Sequence, residues 1–165
     1  MADRAKDKLH PYQLRGIELG GDYRWVPNGM LPVTQKRAKD YVAEAPDTRV
    51  LLPIGVEHPT SIACLIRVAR SISITPKEVW SVGSSGTLTR SLQLAWPEAV
   101  VHVVSVGHNM SDRERGRAIF HKSPYKFDKP VKKQHMTPYP SAPTYDAKVW
   151  HVMKEYHETH TRHEH

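Results

Sequence analysis

The chain has 165 residues, of which 39% are hydrophobic and 25% charged, and its formal net charge is +7. This length and composition predict one soluble globular domain and exclude both a pair of full-sized domains and a membrane-spanning chain. The first residues, MADRAKDKLH, lack the apolar centre of a signal peptide, and the single cysteine, Cys64, excludes an internal disulfide. We therefore expect a cytoplasmic protein with no membrane partner.

The N-terminal part of the sequence has little periodicity. Residues 1–32 are rich in charges and glycines and are predicted to be irregular, apart from strand-like pieces around Tyr23–Val26. From Val33 to Ala45 apolar residues recur at helical spacing, and Pro46 follows as a stop. This helix begins an α/β domain that we assign to residues 33–156.

A strand and a helix are predicted next. The apolar run Val50–Ile54 predicts a strand covered on both faces, and Pro53 within it indicates a strand end or a sheet edge. A helix is predicted to begin at Pro59, because apolar side chains recur there at helical spacing: Ile62, Leu65, Ile66, Ala69 and Ile72. Cys64 falls on the apolar side of this helix, so we expect it to be buried.

Strands and helices alternate in the centre of the sequence. We predict a strand over Glu78–Val82, a helix over Leu88–Ala95 and a strand over Val100–Val106. Such alternation is typical of an α/β fold with a mostly parallel open sheet and crossover helices. A loop-rich return follows, with a strand candidate at Ala118–Phe120, and the last predicted helix covers Tyr145–Tyr156.

A glycine turn, Gly83-Ser84-Ser85-Gly86-Thr87, joins the first of these central strands to its helix. Its glycines allow unusual φ angles and a close approach of the backbone to a ligand, and its hydroxyls add hydrogen-bond donors. The free N–H groups at the start of the next helix point to the same place, at the carboxyl end of a strand. This combination predicts an anion site, typically for a phosphate ester, with a plain turn that holds no ligand as the alternative.

Two familiar nucleotide-binding loops do not match. The turn lacks the Gly-Lys-Ser/Thr of a Walker A loop and the third glycine of the dinucleotide fingerprint. The strand that ends at Val106 leads into Gly107-His108 and not into a ribose-binding acid. The missing acid also argues against a methyltransferase-like enzyme, which stays a third alternative.

Three segments carry a family resemblance: LLPIGVEHP, EVWSVGSSGTLTRSLQLAWPEAVVHVVSVG and YPSAPTYDAKVW. Together they resemble the fold-type II pyridoxal-phosphate-dependent enzymes, the group related to the tryptophan synthase β-subunit, and in particular a compact phage-encoded branch. The resemblance covers roughly residues 30–150. It implies the large-domain half of such an enzyme, with the phosphate of pyridoxal 5'-phosphate bound by residues Gly83–Thr87.

The family's Schiff-base lysine does not carry over. It lies in an N-terminal Gly-Gly-Thr-Lys-Arg-like stretch, and Gln35-Lys36-Arg37 of this chain lacks the glycines. The chain therefore resembles the carboxyl half of the enzyme, which implies a partner chain that supplies the lysine, or a homodimer. Lys148, in YDAKVW, is the remaining catalytic candidate, although its helical spacing favours a surface or supporting position.

The resemblance implies lyase- or transferase-like chemistry on a small amino-acid-like substrate or a modified nucleotide, in a host cytoplasm if the chain is phage-encoded. A non-catalytic relative that acts as a binding or assembly protein, with nucleic acid as a partner, is the alternative. Basic residues that cluster in one proline-bearing segment are relevant to it: Lys126, Lys129, Lys132 and Lys133. The His-rich tail, residues 157–165, has the imidazoles that transition metals prefer, but terminal segments fray, so no metal site is predicted.

Overall fold

The computed structural model describes residue 9, residues 11–22, residue 24 and residues 31–161. The chain divides into two compact units, Met1–Leu51 and Leu52–His165. The boundary between the two units lies after Leu51, within the range 33–156 that the sequence assigned to an α/β domain.

Among its described residues, the first unit has the helices α1 (Pro11–Glu18) and α2 (Leu31–Ala43). The prediction that residues 1–32 are irregular is therefore wrong for α1. Proline suits the first turn of a helix, and α1 ends where Gly20, at φ +89°, donates its N–H to the carbonyl of Ile17. The strand-like pieces expected around Tyr23–Val26 lie outside the described residues, apart from Arg24.

The second unit alternates strands and helices. Its strands are β1 (Glu78–Gly83), β2 (Val100–Ser105) and β3 (Ile119–Lys122). Its helices are α3 (Pro59–Arg70), α4 (Thr87–Ala95), α5 (Asp112–Arg115) and α6 (Ala147–Thr161). Two 3-10 turns cover Ile54–Val56 and Lys133–His135.

The three strands form one open sheet in the order β1-β2-β3, and both pairs are parallel. Glu78 is paired with Val100 and His102 with Ile119, so the carboxyl ends of all three strands lie at one edge. The prediction of an α/β fold with a parallel open sheet is confirmed. The helix between β1 and β2 is confirmed as well, and the strand candidate at Ala118–Phe120 corresponds to β3.

The predicted strand Val50–Ile54 does not form. The chain is irregular as far as Pro53 and then enters a 3-10 turn, with Gly55 at φ +68°. Proline has no N–H to give to a strand ladder, and a left-handed glycine turns the chain out of an extended path. Val50 and Leu52 are exposed, so this run of apolar residues does not enter a core.

Side chains alternate between the two faces of the sheet. On one face α4 packs on β1, where Ser81 Oγ lies 3.0 Å from Thr89 Oγ1. On the other face α6 packs on the sheet, and the Tyr156 ring contacts the Trp80 ring edge to face. The sheet is therefore covered on both faces, as parallel sheets require.

The core of the second unit is small and centred on β2. Val101 and Val103 are fully buried and pack with Met110 and Ala118, and burial of each large apolar side chain stabilises the fold by about 1.5–3 kcal/mol. Cys64 is exposed, contrary to expectation, because α3 lies at the outside of the unit, where it contacts α4. Among the described residues, no helix has the length and apolarity that a membrane crossing requires.

Candidate functional site

The predicted phosphate loop begins at the end of β1. Gly83 is the last residue of the strand and does not have the unusual φ that we expected. A Cβ atom there would lie 2.4 Å from Val103 Cγ2 and 2.6 Å from the Met110 sulfur. Gly83 is therefore needed for close packing of the strand against the core.

Gly86 is the N-cap residue of α4. Its φ is +77°, a left-handed conformation that favours glycine. A Cβ atom at this position would lie 1.9 Å from the carbonyl oxygen of Glu114. Arg90 N–H donates to the Gly86 carbonyl at 2.9 Å, and the N–H groups of the turn before it have no intrahelical acceptor. The loop therefore ends at a helix start that has no side-chain cap.

The hydroxyl groups of the loop differ in accessibility. Ser84 and Ser85 are half-buried, whereas Thr87 is buried. Ser85 Oγ lies 3.2 Å from Thr87 Oγ1, so these two hydroxyls already share a hydrogen bond. Ser84 Oγ lies near Gly107, where an added Cβ atom would be 3.7 Å from it.

A cavity of about 260 Å³ lies at the carboxyl ends of β2 and β3, lined by residues 105–109 and 122–127. The loop borders this cavity but does not line it: a Cβ atom at Gly107 would lie 3.7 Å from Ser84 Oγ and 3.8 Å from the Phe127 ring. The lysines of the lining, Lys122 and Lys126, are exposed, and none of the described lining residues is acidic. The cavity therefore suits an anion.

Lys148 is fully buried behind this cavity, so of the two positions expected for it, surface or supporting, it takes the supporting one. Its Nζ donates to the carbonyl oxygens of Lys126 and Phe127, at 2.9 and 3.0 Å. Burial lowers the pKa of this ammonium group, and the nearby Asp128 carboxylate opposes the shift. Lys148 thus fixes one wall of the cavity from behind and does not line it.

Three charged residues beside the loop were not singled out from the sequence. Glu57 Oε1 accepts from Arg90 at 3.0 Å and from Arg113 at 3.1 Å. The hydrogen bond from Arg90 and the charges of both arginines lower the pKa of the Glu57 carboxyl. Arg90 lies within the Leu-Thr-Arg part of a segment that carries the family resemblance, and this was the one signal in the sequence that could have identified it.

A cluster of rings on the opposite face of the sheet was also missed. His102 Nδ1 and His121 Nε2 lie 2.9 Å apart, and the Trp80 ring stacks on the His102 ring at 4.1 Å. Burial lowers the pKa of both imidazoles, and the neighbouring His160 lowers that of His121 further. Side chains alternate along β1, β2 and β3, and the pairing of the strands brings these rings to the same face of the sheet. No local sequence pattern predicts this pairing.

Part of the predicted His-rich tail belongs to α6. His157 Nε2 lies 3.1 Å from Glu78 Oε1, and the His160 ring stacks on the Tyr156 ring at 3.9 Å. Residues 162–165 lie outside the described part of the chain. Within the described part, no group of three or more histidine, cysteine or acidic side chains is placed to hold a metal ion.

The ring cluster should make the protein acid-sensitive. A histidine in the unfolded chain takes up a proton near its ordinary pKa of about 6.5, whereas His102 and His121 resist protonation while buried. The unfolded state then binds more protons, so stability should fall as the pH drops below about 6.5 and continue to fall until it passes the folded-state pKa values. The Glu78 carboxylate raises the pKa of His102 and so opposes this loss of stability. The charges of His157 and His160 lower the pKa of His102 further and add to the loss.

His102→Phe tests this expectation, because it keeps a ring against Trp80 but removes one titrating group. Thermal unfolding followed by circular dichroism from about pH 8 to about pH 5 should show a smaller drop in Tm for this variant than for the wild type. An identical pH dependence in the two proteins would contradict the assignment to His102.

Comparisons of the chain with protein-family models, with curated protein sequences and with solved structures gave no match.

Proposed function

We propose that the chain binds a phosphate-bearing small molecule at the carboxyl edge of its parallel sheet, with pyridoxal 5'-phosphate as the cofactor, and that it acts within a fold-type II-like enzyme. One observation carries the proposal. At the junction of β1 and α4, left-handed Gly86 begins a helix with free first-turn N–H groups, beside a cavity whose charged lining residues are lysines.

The donor set fits the phosphate group of such a cofactor. Backbone N–H groups at a helix start and serine hydroxyls are the usual ligands of a phosphate ester. Ser84 lies where the loop meets the cavity at Gly107, so a phosphate on the loop leaves about 260 Å³ for the rest of the molecule. The exposed ammonium groups of Lys122 and Lys126 favour an anionic ligand there.

An amine for the cofactor's aldehyde is a separate requirement. Pyridoxal phosphate, once joined to an amine, supplies an electron sink at the substrate. Lys148 is the lysine that is fully buried among the described residues, but two carbonyl groups hold its Nζ behind the cavity wall. We therefore assign the amine to a partner chain, and the substrate to small amino-acid-like molecules or a modified nucleotide.

A phosphate titration tests the loop. Addition of inorganic phosphate or pyridoxal phosphate should shift the amide resonances of Ser84–Thr87 and of Gly107, because these N–H groups lie at the proposed site. The measurement is a series of two-dimensional 15N–1H spectra at constant ionic strength. Shifts confined to residues 126–133 would show binding to surface lysines and would contradict the assignment to the loop.

A colour test distinguishes the half-enzyme from a complete one. The isolated protein, incubated with pyridoxal phosphate and dialysed, should be colourless, because no described lysine is both buried and free to reach the cavity. Yellow colour that appears only with a lysine-bearing partner supports the proposal. Colour that survives dialysis and is lost in Lys148→Ala would overturn the assignment of the amine to a partner.

A second candidate function is binding of nucleic acid without catalysis. The observation that favours it is a row of exposed lysines in one segment: Lys126, Lys129, Lys132 and Lys133. Contacts of such lysines with a phosphate backbone weaken steeply with salt. Salt-dependent retention on DNA, without any response of the loop to phosphate, would favour this function over the first.

A further inference from the structure

Two arginines beside the proposed phosphate loop share one carboxylate oxygen. Arg90 lies on α4, one turn after the loop, and Arg113 lies on α5, next to the residue whose carbonyl abuts Gly86. Both guanidinium groups contact the same atom, Glu57 Oε1, at 3.0 and 3.1 Å. The Arg90 side chain is 22% exposed, so this contact is largely shielded from solvent on the α4 side.

Glu57 is the last residue of a strap, residues 53–57, that lies against the loop. A Cβ atom at Gly55 would lie 2.0 Å from Ser85 Oγ and 3.2 Å from Thr87 Oγ1. The strap backbone is strained, because Val56 has a φ of +50°, which a β-branched residue rarely adopts. Strained backbone of this kind persists where surrounding contacts hold it, and the contacts of the strap include those of Glu57 with the two arginines.

The arginine pair is incompletely satisfied by this carboxylate. Arg90 Nε is buried and has no hydrogen-bond partner among the described residues. The single carboxylate oxygen of Glu57 accepts one hydrogen bond from each arginine. A phosphate monoester has three terminal oxygens, which can accept hydrogen bonds from several N–H groups of each guanidinium. A phosphate therefore matches the donors of the pair better than Glu57 does.

We propose that Arg90 and Arg113 are ligands for the phosphate group of the bound molecule, and that Glu57 acts as a latch that occupies them when this molecule is absent. The inference rests on the proposed function, since it requires phosphate at the loop. Phosphate must then displace Glu57 and move the strap away from Ser85. Only chains with an open strap bind phosphate, and they are a small fraction of the population. The apparent phosphate affinity of the protein is therefore lower than that of the open form.

The test is Glu57→Gln, titrated with inorganic phosphate by isothermal calorimetry. The variant should bind phosphate about 3–10-fold more tightly than the wild type, the modest gain expected from breaking partly exposed ion pairs. Glu44→Gln is the matched control, because it makes the same charge change and breaks a similar pair, that of Glu44 with Arg49 at 3.0 Å in the first unit. Its affinity should stay within about twofold of the wild type.

A second substitution and a second readout complete the test. Arg90→Gln, added to Glu57→Gln, should abolish the gain in phosphate affinity, with folding of each variant checked by its thermal transition. In the wild type, saturating phosphate should speed hydrogen exchange of the Val56 N–H, which is bonded to the Pro53 carbonyl at 2.9 Å.

The outcomes separate the two proposals. Equal phosphate affinity of Glu57→Gln and Glu44→Gln, or unchanged exchange at Val56 in the phosphate-bound protein, overturns the latch but leaves the loop site standing. If neither the wild type nor Glu57→Gln binds phosphate and the loop amides do not respond, the latch and the proposed function both fall.

Discussion

Gly86→Ala should lower the free energy of unfolding by about 2–4 kcal/mol, one of the largest losses expected from a single methyl group in this protein. The residue has a φ of +77°, and its new Cβ would lie 1.9 Å from the carbonyl oxygen of Glu114. Since that oxygen belongs to the backbone, either α5 or the loop has to shift. Urea denaturation followed by circular dichroism measures the loss.

Gly20→Ala is the control that separates the cost of the left-handed backbone from the cost of the steric contact with Glu114. Gly20 also has a positive φ, +89°, but a Cβ atom there would have no atom of the described residues within 4 Å, its chain neighbours aside. Its substitution should therefore cost about 1–2 kcal/mol, the penalty of the left-handed conformation alone. Equal losses in the two variants would show that the contact of Gly86 with Glu114 contributes nothing.

The same position links the fold to the proposed site. Gly86→Val, studied at a temperature where it stays folded, should lose the response of the loop amides to phosphate, because a displaced loop no longer aims its N–H groups at one point. A Gly86→Val protein that binds phosphate as the wild type does would show that the loop is not the phosphate site.

Lys148→Ala should lower the free energy of unfolding by about 2–4 kcal/mol, through loss of buried volume and of two hydrogen bonds. The carbonyl groups of Lys126 and Phe127 would lose their donor, and the cavity wall that they form would loosen. Lys154→Ala is the control on the same helix. Lys154 is exposed, and its substitution should change stability by no more than about 0.5 kcal/mol.

Chemical denaturation of the two lysine variants decides this prediction. The Lys148→Ala loss should also be accompanied by faster hydrogen exchange in residues 122–127, the segment that Lys148 supports. If both variants were as stable as the wild type, Lys148 would have no structural role, and its burial would need another explanation.

The sequence alone determined the local elements of the second unit. Pro59 and the apolar spacing that follows placed α3, and β-favouring runs on either side of a helical pattern placed β1, α4 and β2. These signals are local: each depends on a few neighbouring residues whose periodicity matches a helix or a strand. The same locality explains why the glycine turn could be placed at the end of β1.

Local periodicity gave a wrong or an incomplete prediction at two places. Val50–Ile54 has the composition of a buried strand, yet it lies outside the sheet, because Pro53 cannot join a ladder and the glycine after the run turns the chain. Lys148 has the spacing of a helix surface, yet it is buried, because the carbonyls that hold it come from a loop about twenty residues earlier.

The tertiary structure alone decided the surroundings of the loop. Gly86 meets Glu114, and Glu57 meets Arg90 and Arg113, across separations of 28, 33 and 56 residues, the differences between their positions. No periodic pattern encodes such pairs, because they depend on how α4, α5 and the strap pack together. The sequence therefore predicted where the glycine loop lies, and the packing of distant segments determined which charges surround it.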